Sequence, residues 1–212
     1  MEIFLDSFDV TGITKYRDYI VGITTNPTIL AQNINTMDDL HKQLQQMLQQ
    51  FPGLLINLQV SSAKADQMVQ EASKISEYGE NFIVKVPCTF EGLKALKEIG
   101  KLGLKTNATL CFSFVQAKMA QDLGATYISP FLGRMQDAGH DIAEFVYKLR
   151  KVVVSSKILA ASLRNVEHVE LAVAVGCDAI TINEQVFDSI FSQSLLQKGQ
   201  AMFDALNKIS YL

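Results

Sequence analysis

Within FIVKVPCTFEG, residues 82–92, a lysine interrupts an apolar run. Side chains alternate faces along a strand, so Phe82, Val84 and Val86 share one side while Ile83, Lys85 and Pro87 share the other. Two readings of Lys85 follow. On an exposed edge strand a lysine blunts unwanted pairing and carries its ammonium into water, the reading these residues alone favour slightly. In a buried pocket, desolvation lowers its pKa and leaves some neutral amine able to attack a carbonyl. The choice depends on the elements that hold Lys85.

Eight β-rich runs recur along the chain: EIFLD, GITTN, LLINLQV, FIVKVP, KTNATL, TYISPF, KILAAS and AITIN. Helical patterns lie between them, such as Leu40, Leu44, Met47, Leu48 and Phe51, then Ala65, Met68, Val69, Ala72 and Ile75, at three-to-four spacing. Gly124 and Gly176 are predicted to close two of the helices, and Asp141 and Asn165 to cap the starts of two. Met202, Phe203, Leu206 and Ile209 predict a terminal helix. Strand and helix alternate throughout, which predicts one (β/α)8 TIM barrel, a single domain over residues 1–212 with an additional C-terminal helix. A doubly wound open sheet is the alternative, but the turn after the first strand reads DSFDVTG and lacks GxGxxG.

With 212 residues, 48% hydrophobic and 19% charged, the chain can bury one sizeable core. A net charge of -3 without a dense Lys/Arg run argues against nucleic-acid or membrane partners and for a small molecule. The N-terminus MEIFLDSFDV has no basic region ahead of a long apolar core, so a cytoplasmic location is expected. Cys88, Cys111 and Cys177 form no CxxC pair and are expected to be reduced and buried. His41, His140 and His168 lack metal-ligand spacing and are expected at the solvated surface. Neither a metal nor a cofactor is predicted.

Barrel enzymes gather their chemistry at the C-terminal ends of the strands. The last polar residue of each run is Asp6, Asn26, Gln59, Lys85, Thr109, Arg134 just beyond Phe131, Ser162 and Asn183. Polar neighbouring loops explain about half of such a pattern, and explain Lys85 and Asp6 least, since buried charges must be paired or neutralised. A direct Lys85–Asp6 pair across the mouth is therefore expected. Such a lysine beside a carboxylate suits imine chemistry with a ketone, and Arg134 with Ser162 suits a phosphate.

The segments LD, ITTNPTIL, VKVPCTFEG, KTNATL, ISPFLGRMQD and LAASLRN together resemble the small transaldolase family, which includes the fructose-6-phosphate aldolases. The resemblance runs in register from the first strand through the seventh helix. It implies Lys85 as the Schiff-base lysine, Asp6 as the acid/base carboxylate, and Thr109 with Gln59 as holders of a catalytic water. Asn26, Asn107, Ser129 and Phe131 would contact the sugar; Arg134 and Ser162, with Arg164 as helper, would receive its phosphate. Implied partners are sugar phosphates and further copies of the chain, a pentamer or decamer, in the pentose phosphate pathway.

Two outcomes remain open within that chemistry. Phe131, Asn107 and Ser129 are transaldolase-like, whereas Gln59 stands where typical transaldolases carry glutamate and the aldolases carry glutamine. Phe8 in DSFD, and Asn183 where the family usually has proline, are departures expected to bear on substrate fit. An isomerase-type phosphate barrel and a catalytically silent binding barrel are the readings from other classes.

Overall fold

Parallel strands need a crossover between them, and each β-rich run is followed by one or more helices that supply it. The strands are β1 (Glu2–Leu5), β2 (Gly22–Thr24), β3 (Leu55–Gln59), β4 (Phe82–Pro87), β5 (Thr106–Cys111), β6 (Tyr127–Pro130), β7 (Lys157–Ala160) and β8 (Ala179–Ile182). The helices are α1 (Val10–Tyr16), α2 (Pro27–Asn33), α3 (Met37–Gln50), α4 (Ala65–Ser76), α5 (Phe90–Lys101) and α6 (Phe114–Asp122). They continue as α7 (Leu132–Asp137), α8 (Ile142–Val152), α9 (Val166–Ala174), α10 (Glu184–Phe191) and α11 (Ser194–Leu206). In this computed structural model, which describes residues 1–206, the strands pair in sequence order and β8 returns to β1 as a closed parallel barrel. The predicted helix position Ile209 lies outside the described residues.

Alternation along each strand builds two separate apolar regions. Outward residues such as Leu58, Val84, Val86 and Ile180 join the inner faces of the helices in one continuous core, including the periodic Leu44, Met47, Met68, Ala72 and Ile75. Inward residues Phe4, Ile83, Tyr127, Leu159 and Ala179, with Leu55 against them, form a separate plug inside the barrel. Phe4 and Tyr127 meet edge to face at 5.8 Å within it. Strands β1, β3, β4, β6, β7 and β8 thus place an apolar side chain low in the barrel and their next inward residue toward the mouth.

Helix starts fix the loops that surround this mouth. Asn26, Thr89, Ser113, Asp141, Asn165 and Asn183 each accept a backbone N–H of the following helix, relieving donors that a first turn leaves unpaired. Gly124 and Gly176 take φ of 86° and 76° just beyond α6 and α9, the left-handed closing conformation that their position predicted. No described helix is long and apolar enough to cross a membrane.

Candidate active site

Lys85 points inward two residues after the plug residue Ile83 and is only 3% exposed, which excludes the edge-strand reading. Burial pushes its pKa down to about 8, against the opposing pull of the Asp6 carboxylate. The expected direct ion pair with Asp6 is absent; Lys85 Nζ instead donates to the main-chain carbonyl of Thr25 at 2.8 Å. Asp6 Oδ1 accepts from the hydroxyl of Thr24 at 2.7 Å. Adjacent threonines of β2 and its loop therefore hold the two charges apart, one by side chain and one by backbone. Contact with a carboxylate would keep the ammonium protonated, whereas separation lets desolvation prevail. The Thr-Thr doublet in ITTN was the available sequence signal for this, and counting charges alone missed it.

The register brings Gln59, Lys85 and Asn107 side by side on β3, β4 and β5. A buried polar chain runs below them: Ser129 Oγ donates to Asn107 Oδ1 at 2.7 Å, and Asn107 Nδ2 to Asn57 Oδ1 at 2.9 Å. Asn57 Nδ2 completes it at the Ile23 carbonyl, 3.2 Å away. The chain holds the Asn107 carboxamide in one orientation beside Lys85. Strand β5 carries an irregularity between Ala108 and Cys111, with Leu110 at φ 55°. Thr109 lies inside that irregularity, fully buried, and its Oγ1 is the buried side-chain oxygen without a partner among the described residues. A buried hydroxyl left unpaired costs free energy unless something polar meets it.

Phe131 follows β6, and its ring has Lys85 Nζ 6.0 Å from its centroid and the Arg134 guanidinium 5.2 Å away. The aromatic ring thus spans the distance between the amine and an exposed cation. Ser162 sits opposite at φ 60°, a conformation that costs a non-glycine residue about 1–3 kcal/mol and clusters at functional sites. Gly133 donates its N–H to the Ser162 carbonyl at 3.0 Å, and a Cβ there would lie 2.3 Å from that oxygen, so only glycine permits this approach. Arg134 makes no ion pair among the described residues, but Arg164 is clamped at 2.6 Å to Asp137. Its positive charge is already engaged.

Several expectations need correction. Asn183 caps α10 through Val186 N at 2.9 Å and is exposed on the rim, so its side chain does not join the central group. Phe8 is fully buried in the outer core, with its carbonyl held by Gln43 Nε2 at 3.1 Å, and so leaves the pocket alone. His168 is 4% exposed rather than solvated, and its Nδ1 accepts from the backbone N–H of Arg164 at 3.3 Å. Its Nε2 meets Gln136 Oε1 at 2.7 Å. Burial, then the Arg164 charge, push its pKa down. Asn26 keeps its place at the mouth, with Oδ1 committed to Ile29 N at 3.0 Å and its amide nitrogen unbonded among the described residues. The three cysteines are free and buried as expected. Contact with the Cys111 thiol and burial push the Cys88 thiol up, away from nucleophilic use.

Residues 3–211 match the sequence profile of the family described as Transaldolase/Fructose-6-phosphate aldolase. A probable transaldolase of Caulobacter vibrioides is 38% identical over 209 residues, covering 96% of this chain and 94% of that protein. A probable transaldolase of Lactiplantibacillus plantarum is 37% identical over the same length and coverage. Among solved structures, one titled "Native KDPGal structure" superposes with a TM-score of 0.62 at 11% identity, over 85% of this chain and 81% of that one. At that identity the likeness is one of fold.

Proposed function

This chain belongs to the transaldolase/fructose-6-phosphate aldolase family, and from that premise we propose that it transfers a dihydroxyacetone unit between sugar phosphates through an imine on Lys85. The observation that carries the reading is the inward, buried amine with its pKa near 8 and no carboxylate in contact among the described residues. At pH 7 roughly a tenth of such a group is neutral, several hundred times the fraction for an ordinary lysine.

The neutral Nζ, with one N–H aimed at the Thr25 carbonyl, attacks the ketone carbon of fructose 6-phosphate or sedoheptulose 7-phosphate. The ketone oxygen leaves as water and a protonated imine remains. Removal of the proton from the hydroxyl two carbons beyond the imine carbon turns that carbon into an aldehyde, the bond between it and the intervening carbon breaks, and the electron pair moves toward the iminium nitrogen to leave an enamine. An aldose phosphate is released. Asp6 is the acid/base carboxylate, and Thr109, whose hydroxyl is otherwise unpartnered, holds a water together with Gln59. Gln59 cannot accept a proton at neutral pH, which leaves Asp6 as the carboxylate for this work. Asn26, Asn107 and Ser129 contact the sugar hydroxyls. Arg134 and Ser162 receive the phosphate, while Arg164 must first leave Asp137 to help.

A phenyl ring at Phe131 can neither hydrogen-bond water nor assist hydrolysis of the enamine, so addition to a second aldose phosphate is the favoured fate. Gln59 favours the second reading, a fructose-6-phosphate aldolase releasing dihydroxyacetone and glyceraldehyde 3-phosphate. Strict dependence on added erythrose 4-phosphate supports transfer, and turnover of fructose 6-phosphate alone supports release. A single-domain, cytoplasmic homo-oligomer acting in the pentose phosphate pathway completes the proposal, with the exposed Leu195, Leu196, Met202 and Phe203 of α11 as its candidate contact face. Borohydride added with fructose 6-phosphate should abolish activity irreversibly and leave a covalent adduct on the Lys85 peptide. An unmodified Lys85 in an enzyme that turns over refutes the mechanism.

A further inference from the structure

We propose that Thr181, which no part of the mechanism above uses, is a positioning residue for Asp6 and acts through the hydroxyl of Thr24. The inference rests on the reading of Asp6 as the acid/base carboxylate. Its basis is a three-residue contact: Thr24 Oγ1 lies 2.7 Å from Asp6 Oδ1 and 2.6 Å from Thr181 Oγ1. Thr24 is fully buried and Thr181 is 4% exposed, so water does not compete for the bond between them.

Proton counting sets the direction. A carboxylate only accepts, so the single Thr24 hydroxyl proton goes to Asp6, and the proton between the two threonines must come from Thr181. The order is Thr181 to Thr24 to Asp6, and each donation strengthens the next. Oδ1 of Asp6 is thereby anchored. Its Oδ2 has no bond among the described residues and remains available to the substrate or a water. When Asp6 holds a proton during the cycle, both hydroxyls can rotate and the chain reverses, with Asp6 donating to Thr24 and Thr24 to Thr181. The same three side chains satisfy either state without moving a heavy atom.

Packing alone does not require these hydroxyls. Thr181 follows the plug residue Ala179 by two positions on β8, and Thr24 lies on β2, the other neighbour of β1. Valine has nearly the same shape, suits a strand, and would extend the apolar plug by one step.

The test compares the full chain carrying Thr181→Val or Thr181→Ser with the unaltered enzyme, using fructose 6-phosphate and erythrose 4-phosphate. Thr181→Val should lower kcat roughly tenfold, the scale of one buried hydrogen bond, with KM within about twofold. Borohydride should still trap the ketose on Lys85, because imine formation precedes the step Asp6 serves. Thr181→Ser should restore kcat to within about threefold, since it returns the hydroxyl. If valine prevents folding, Thr181→Ala removes the same hydroxyl without added bulk and carries the same expectation. A wild-type kcat in the hydroxyl-free variant, or an equal loss in the serine variant, overturns the proposal. Failure of the unaltered enzyme to form the Lys85 adduct while turning over overturns the underlying mechanism instead, so the two failures are separable.

Discussion

The lower and upper inward layers of the barrel come from the same strands, yet they differ in what they leave unsatisfied. Below, Phe4, Ile83, Tyr127 and Leu159 fill the interior with apolar contacts. Two residues further along β4, and one beyond β1, stand Lys85 and Asp6; on β6 the corresponding step is Tyr127 to Ser129. The upper layer contains a desolvated amine, a hydroxyl without a partner among the described residues and amides locked by a polar chain. One layer closes the barrel floor, and the other tolerates unfavourable groups because the first excludes water beneath them. Catalytic competence and stability should therefore respond in opposite directions when the two layers are altered.

Lys85→Met should produce the largest effect, a fall in turnover of at least about 10^4-fold, since no other side chain replaces the amine. The same change should raise stability. The unfolded chain binds the lysine proton with a pKa near 10.5 and the native chain near 8, so below pH 8 the native state carries the full cost of burying the ammonium. That cost is on the order of 3 kcal/mol and diminishes as pH rises from 8 toward 10.5. Urea titrations at pH 7 and pH 10 should thus show a gain for Lys85→Met that shrinks at the higher pH. An unchanged or lower midpoint at pH 7 would contradict the burial argument.

In the lower layer, Ile83→Ala should cost about 2–5 kcal/mol of stability through lost contacts and a residual cavity. Borohydride trapping at Lys85 should persist at low temperature, because the change lies one inward step below the amine. Loss of trapping in a folded variant would show that the layers are not separable.

A smaller effect should separate the two arginines. Arg134→Ala should raise KM for the phosphorylated ketose roughly 10- to 100-fold with little change in kcat, the loss expected for a charge-assisted phosphate contact. Arg164→Ala should have less effect, because Asp137 already holds that guanidinium. Steady-state kinetics on both variants checks the order, and a larger effect at Arg164 would move the phosphate site.

The sequence showed the layers unequally. Strand alternation was sufficient to place Ile83 and Lys85 on one face, and the eight β-rich runs match the eight strands with only small shifts at their ends. Periodicity also located helix faces, and Asp141 and Asn165 cap the helices they were expected to cap. Asn183 and Phe8 were misread because proximity to a strand end does not say which way a side chain leaves it. His168 was misread because a polar helical context concealed the partners its ring finds in Gln136 and the backbone of Arg164.

Local pattern by itself determined the eight alternating strand–helix units, the face that Lys85 shares with Ile83 and the roster of polar strand ends, because alternation and helical period act over a few residues. The contacts among those ends were decided only by barrel closure. It set Thr24 and Thr25 between Asp6 and Lys85, brought Thr181 of the last strand against the second, and occupied Arg164 with Asp137. Those distances depend on stagger between strands far apart in the chain, and the amine's lowered pKa depends on the burial that closure creates.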